Sequence, residues 1–226
     1  MNRTLYVWSG GLDSTYILLS NIFNQDPFDT IYVELENNEY KTKQEINCRK
    51  EMIDIIYATN NLAWTDYYVK IPASEPVGSL TNGCQAFFWI YGIFKRLSEY
   101  DLKEYHSIQI GYVNTDGTVK EGRHHKQRDL YYAIAKLFME RKDIPDLIYP
   151  LQTVDKLYIC QYMNQSILGR KLFRKVWYCE GIKDTGKPCK ECVPCKRHAE
   201  TLKQYKLNPT APVEEKETLM LSEPDT

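Results

Sequence analysis

No stretch of this sequence approaches the roughly 18 consecutive apolar residues that a membrane-crossing helix requires. No basic leader with a small-residue cleavage site precedes the first apolar segment at Thr4. A cytoplasmic, reducing location is therefore expected, and disulfides among the seven cysteines are not. Charge of one sign is missing too. The formal net charge is −1, with basic and acidic residues interspersed, so neither a membrane partner nor a general electrostatic grip on nucleic acid is expected, although local basic patches remain open. No internal repeat is present. Two glycine signatures are also absent: no Gly-Lys-Ser/Thr closes a Walker loop, and no third glycine completes a dinucleotide fingerprint.

What is present is an alternation of short apolar runs and helical patterns. Thr4–Trp8, Thr30–Leu35, Asp66–Ile71, Ser107–Gly111 and Leu147–Tyr149 read as strands. Helices are expected over Lys43–Tyr57, with Ile46, Ile53, Ile56 and Tyr57 as the apolar stripe, and over Asn82–Leu97, Lys126–Arg141, Lys156–Leu168 and Lys196–Leu207. Strand and helix in turn predict an α/β fold built on a doubly wound parallel sheet. With 43% hydrophobic residues, 226 residues suffice for one such domain, expected over 1–175. A small cysteine module over 176–206 and a proline- and acid-rich tail over 207–226 complete the expected organisation. The scattered tyrosines read as half-buried surface residues, and Cys48, Cys84 and Cys160 as small core residues.

The most informative segment is Ser9-Gly10-Gly11-Leu12-Asp13-Ser14-Thr15, between the first strand and the first helix. Two glycines let the backbone approach an anion closely, and the helix behind them directs unpaired N–H groups and a positive dipole end at it. Ser9, Ser14 and Thr15 add hydroxyls. The segment resembles the PP-loop, Ser-Gly-Gly-x-Asp-Ser, of ATP pyrophosphatases, which cut ATP between the α and β phosphates and transfer AMP to an acceptor oxygen. Asp13 reads either as a helix cap or as a Mg²⁺ ligand.

Near the other end stand Cys179, Cys189, Cys192 and Cys195, the last three at two-residue spacing, with Gly186, Pro188 and Pro194 favouring tight turns. Four thiolates in one hairpin-like module suit a tetrahedral Zn²⁺ site. An iron–sulfur cluster is the competing reading, since Cys-x-x-Cys-x-x-Cys also serves ferredoxins.

Together with Pro150-Leu151-Gln152-Thr153-Val154-Asp155-Lys156 and the Lys196-Arg197 that follows the last cysteine, these motifs resemble the 7-cyano-7-deazaguanine synthase family over about residues 4–205. The resemblance implies an adenine-nucleotide α-hydrolase-like fold, a homodimer, and ATP, Mg²⁺ and Zn²⁺ as cofactors. It also implies adenylation of the carboxylate of 7-carboxy-7-deazaguanine, attack by ammonia to give an amide, and a second adenylation that yields the nitrile. Asp13, Lys156 and Arg197 take the catalytic positions, the turn from Ser9 to Thr15 holds the nucleotide, and Asn82, Asn114, Asp116 and Arg123 contact the substrate. Outside the family, Lys156 and Arg197 read as a solvated helix-start lysine and a surface ion pair, and the adjacent His124 and His125 as solvated loop residues.

The chain departs from the family where Tyr-Gly-Gln-Arg-His is replaced by Glu36-Asn37-Asn38-Glu39-Tyr40, although Glu45 keeps a following glutamate. The family's Arg-Asn becomes Thr81-Asn82, and its Tyr-Pro-Asp-Cys-Arg has no counterpart around Glu121–His125. Three further readings stay open: transfer of the activated carboxylate to another amine, a protein amine included, in a phage or antiphage pathway; modification of a tRNA base; and a non-catalytic nucleotide-binding module.

Overall fold

A computed structural model describes residues 3–36, 38–60, 62–72, 85–181 and 186–209. Five strands, β1 (Arg3–Val7), β2 (Phe28–Leu35), β3 (Asp66–Ile71), β4 (Tyr105–Ile110) and β5 (Asp146–Ile148), form one sheet in the order β3-β2-β1-β4-β5. Every pairing is parallel. Helices α1 (Leu12–Asn24), α2 (Glu39–Thr59), α3 (Gln85–Arg96), α4 (Glu99–Leu102), α5 (Gly117–Lys120), α6 (Arg123–Ala135), α7 (Lys156–Gln165), α8 (Ile167–Phe173) and α9 (Val193–Leu207) complete the layers. This is the doubly wound α/β architecture that the alternation predicts. Among the described residues no helix is long and apolar enough to cross a membrane.

Both faces of the sheet are covered, which is why β1 and β2 read as near-continuous buried runs rather than alternating ones. Tyr6, Trp8 and Phe28 pack with α1, α2, α7, α8 and the cysteine module. Leu5, Val7, Ile31 and Val33 pack with α3, α4 and α6 on the other side. The chain winds outward through β2 and β3, then returns to build β4 and β5 on the opposite edge of β1. The carboxyl end of β1 therefore lies at the switch in strand order, where such sheets bind ligands.

Close packing of α3 on β2 rests on Gly92, where an added Cβ would lie 2.7 Å from both methyls of Val33. Val33 is β-branched and held in the sheet, so it cannot yield. Gly92→Ala gains about 1 kcal/mol of helix propensity, but the overlap outweighs it. We expect a net destabilisation of about 1–3 kcal/mol by chemical denaturation, partly relieved when Val33→Ala is added.

Two helices differ from expectation. On α2 the buried face is Tyr40, Thr42, Cys48, Arg49, Met52 and Ile56, whereas Tyr57 is exposed and stacks on Trp64 at 4.8 Å. The apolar stripe is thus rotated, because Cys48 and Arg49 fit beneath the turn after β1. The expected helix over Lys156–Leu168 is two helices, divided at Ser166, whose backbone is extended and whose Oγ accepts from Gly169 N at 2.8 Å. A serine that caps the next helix competes with continuation of the first. Helix α6 begins earlier and ends earlier than Lys126–Arg141, and α9 begins three residues before Lys196. Cys48 and Cys160 are buried core residues as expected, and Cys84 lies outside the described residues.

Candidate functional site

The turn after β1 is shaped by Gly10, whose φ is +78° and whose Cβ, if added, would lie 2.8 Å from Cys48 Sγ and 2.9 Å from Arg49 Cγ. Only glycine meets both conditions. Gly11 is the N-cap of α1 and provides no side-chain cap, so the first-turn N–H groups of Leu12, Asp13 and Ser14 are available to an anion. The serine hydroxyls set the loop's shape: Ser14 Oγ accepts from Ser9 N at 3.3 Å, and Ser9 Oγ accepts from Gly11 N at 3.3 Å. Thr15 is fully buried, and its hydroxyl accepts from Trp8 Nε1 at 3.1 Å while donating toward Met52 Sδ. Its hydroxyl thus ties α1 to the core and is used up there.

Asp13 does not cap α1. Its Oδ2 lies 3.1 Å from Lys156 Nζ, the first residue of α7. A cation at a helix N-terminus opposes the helix dipole at a cost of about 0.3–1 kcal/mol, and the Asp13 carboxylate offsets it. Burial pushes the Asp13 carboxyl above the usual range, Lys156 pulls it back, and Asp116 adds a further upward push. Its Oδ1 is buried with no hydrogen-bond partner, as is Asn114 Oδ1. An unpartnered carboxylate oxygen beside a phosphate-type turn suits a hard cation such as Mg²⁺.

Asn114 and Asp116 reach this region because the loop after β4 passes against α1. A Cβ on Gly111 would lie 3.3 Å from Asp13 C and from Ser14 N. Asn114 N also donates to Val154 O at 3.0 Å, which joins the loop to the segment leading into Lys156. The sequence therefore brings Asp13, Asn114, Asp116 and Lys156 to one place. Asp116 has a local role as N-cap of α5, accepting from Thr118 N at 2.8 Å. Arg123 pairs with Glu121. Arg197 is exposed on α9, and Asn82 lies outside the described residues. His124 is not solvated: it is buried edge-on against Tyr149, and burial holds its ring below the usual histidine range.

Sequence reasoning missed the floor and side wall of the site. A shallow cleft beside the turn is lined by Trp8, Ser9, Tyr32, Thr42, Glu45 and Trp89, among others. Arg49 is buried beneath it, with its guanidinium 4.6 Å from the Trp8 ring and 4.5 Å from the Tyr32 ring, and pairs with Asp66. Glu45 accepts from Tyr32 Oη at 2.8 Å, and burial pushes its carboxyl upward. The four-residue spacing of Lys41, Glu45 and Arg49 was the available signal, because it sets them on one helix face.

The four cysteines converge as expected, with sulfurs within 4.8 Å of one another, and this group could hold a metal. Cys179 Sγ accepts from Gly181 N and Cys189 N, both at 3.2 Å, and Cys189 Sγ accepts from Cys192 N at 3.3 Å. These N–H groups favour thiolate, and those of Cys192 and Glu191 draw the Cys189 thiol down to about 6. A Cβ on Gly181 would crowd Cys189 Sγ at 3.1 Å and Cys179 Sγ at 3.2 Å. The module is tied to the turn: Trp177 N donates to Gly10 O at 3.0 Å, and Asn38 Nδ2 donates to Glu180 O at 3.2 Å.

No protein-family profile matches the chain, and no curated protein does. Among solved structures, the U34-tRNA thiolase NcsA from Methanococcus maripaludis with its [4Fe-4S] cluster is similar at 16% identity and a TM-score of 0.43, over 92% of this chain and 68% of that one.

Proposed function

We propose that the chain is an ATP pyrophosphatase that adenylates an oxygen of its acceptor. The acceptor oxygen attacks the α-phosphorus, the bond to the β-phosphate bridging oxygen breaks, and pyrophosphate leaves. A nucleophile then adds at the activated carbon and AMP departs with the oxygen. The reading rests above all on Lys156 Nζ held 3.1 Å from Asp13 across a PP-loop-type turn at the sheet's switch point. The N–H groups of the turn would hold the departing pyrophosphate, and Lys156 would neutralise charge growing on the α-phosphoryl oxygens. Mg²⁺, when bound, supplies further charge neutralisation, with the free Asp13 oxygen as its protein ligand. The cleft beside Trp8 and Tyr32 opens next to the turn and offers aromatic walls to the nucleoside part of ATP.

The same proposal makes the cysteine group a structural Zn²⁺ site. Four thiolates around one ion at about 2.3 Å stand roughly 3.8 Å apart, and Cys189 Sγ and Cys195 Sγ are 3.9 Å apart. A cluster places each thiolate on a separate iron and spreads them wider. Metal analysis of the purified protein and its visible absorption test this: one zinc per chain and no charge-transfer bands are expected, and iron with inorganic sulfide would overturn it.

The activity test is incubation with ATP, Mg²⁺, 7-carboxy-7-deazaguanine and ammonium, following AMP, pyrophosphate and product mass together. Nitrile with two AMP per product supports the synthase reading, and amide alone a shortened version of it. AMP without either product points to a different nucleophile. No AMP with this acceptor removes it as substrate, and no AMP with any acceptor removes the adenylation reading.

A further inference from the structure

The cleft beside the turn and the Lys156 side of the site lie on different sides of β1. The cleft takes its lining from the ends of β1 and β2 and from α2 and α3, whereas Lys156, Asn114 and Asp116 follow β4 and β5, beyond the opposite edge of β1. A nucleotide with its phosphates on the turn can thus extend its base toward β2 while an acceptor approaches from the β4 side. Trp89, half-buried and stacked on Tyr112 at 5.4 Å, gives the cleft a fixed aromatic wall. Lys41 and Glu45, one turn apart on α2, are its charged residues. The Glu45 side chain is 14% exposed, and its two oxygens differ in what they meet. Oε2 accepts from Tyr32 Oη at 2.8 Å. Oε1 lies 3.8 Å from Lys41 Nζ, an ion-pair distance beyond hydrogen-bond range, so it retains lone pairs for a ligand. Burial pushes the carboxyl up, whereas Lys41, the Tyr32 hydroxyl and Arg49 pull it back toward the ionised form, which accepts hydrogen bonds and donates none.

We propose that Glu45 selects the nucleotide: its Oε1 accepts from the 6-amino group of adenine and sets ATP above purine triphosphates that carry an oxygen at that position. The inference rests on the reading of the turn and cleft as an ATP site, and adds the residue that chooses the base. Hypoxanthine and guanine would place O6 against the carboxylate, where two acceptors face each other with no proton between them. Guanine has a second way to meet a carboxylate, through N1–H and its 2-amino group together, but that paired edge needs both oxygens. Tyr32 holds one of them. A single oxygen suits a single amine, and Lys41 beside it supplies a donor for the unprotonated ring nitrogen next to that amine.

The test is calorimetric titration of the zinc-loaded chain with ATP, purine riboside triphosphate, ITP and GTP, in Mg²⁺ and without an acceptor. Wild type should bind ATP about 10- to 100-fold more tightly than ITP or GTP, the effect of leaving one buried polar group unpaired, with purine riboside triphosphate between them. In Glu45→Gln the amide oxygen keeps the Tyr32 hydroxyl and the NH₂ group takes the other place, a donor where an acceptor stood. The ATP-to-ITP affinity ratio should then fall by about 10-fold or more. Tyr32→Phe keeps the ring and opens Oε2, so the preference for ATP over GTP should narrow. Equal binding of ATP and ITP by wild type, tighter binding of GTP than of ATP, an unchanged ATP-to-ITP ratio in Glu45→Gln, or an unchanged ATP-to-GTP ratio in Tyr32→Phe overturns the proposal. No binding of any of the four removes the nucleotide site and this inference with it. A preference for ATP that Glu45→Gln abolishes, in a chain that releases AMP with no acceptor tried, upholds the assignment of Glu45 and removes the adenylation reading alone.

Discussion

Lys156→Ala is expected to lower AMP release by roughly 10²–10³-fold, the loss typical when one preorganised donor to a developing anion is removed. The loss should fall mainly on the chemical step, because the N–H groups of the turn still hold the nucleotide. A second signature separates this role from a purely structural one. Burial already pushes the Asp13 carboxyl up, and Lys156 is the group that opposes it. Without Lys156, Asp13 holds its proton to higher pH, so the acid limb of the pH–rate profile should move upward. Lys156→Arg keeps the charge and should leave that limb near its original position while recovering only part of the rate, since a planar guanidinium replaces a compact ammonium. An unchanged limb in Lys156→Ala, measured alongside an unchanged thermal midpoint, would remove Asp13 and Lys156 as a working pair.

Removal of the zinc proposed for the cysteine group is the second change expected to have a large effect. Structural zinc contributes about 10–16 kcal/mol to the folding of zinc-finger peptides, comparable with or above the about 5–15 kcal/mol that stabilises an ordinary domain. Cys179 and Cys195 are buried, so an empty site leaves four thiols packed without a common partner. The consequence should extend to the nucleotide. Trp177 N on Gly10 O, Asn38 Nδ2 on Glu180 O and the Lys41–Glu180 pair at 3.6 Å tie the module to the turn and to the start of α2. Chelation, or Cys179→Ser, is therefore expected to weaken binding of a non-hydrolysable ATP analogue by about 10-fold or more, the equivalent of about 1.4 kcal/mol, as measured by calorimetric titration. Restoring zinc to the chelated wild type should restore the affinity, whereas Cys179→Ser should not recover. Unchanged nucleotide affinity in fully metal-free protein would show that the module and the turn are independent.

Much of this molecule is legible without coordinates because its signals are local. Short runs rich in apolar and β-branched residues were enough to locate the strands, most clearly β1 and β2, which are covered on both faces and so nearly continuously hydrophobic. The two glycines of the turn point to a close-approach loop and the three cysteines at two-residue spacing to a group that could hold a metal, because short spacing leaves few other geometries. Contacts between distant parts of the chain were not legible. The resemblance put Asp13 and Lys156 among the catalytic positions, but nothing near Lys156 in sequence says that the two touch, and the helical pattern of α2 conceals an arginine buried between Trp8 and Tyr32. The helix division at Ser166 turns on a hydroxyl that caps the following helix at Gly169 N instead of letting the first helix continue. The sequence by itself determined the sheet, the phosphate-type turn and the thiol set, each specified by neighbours within a few residues. The tertiary structure alone decided which side chains share a site, because that depends on how α7, α2 and the cysteine module pack around the end of β1.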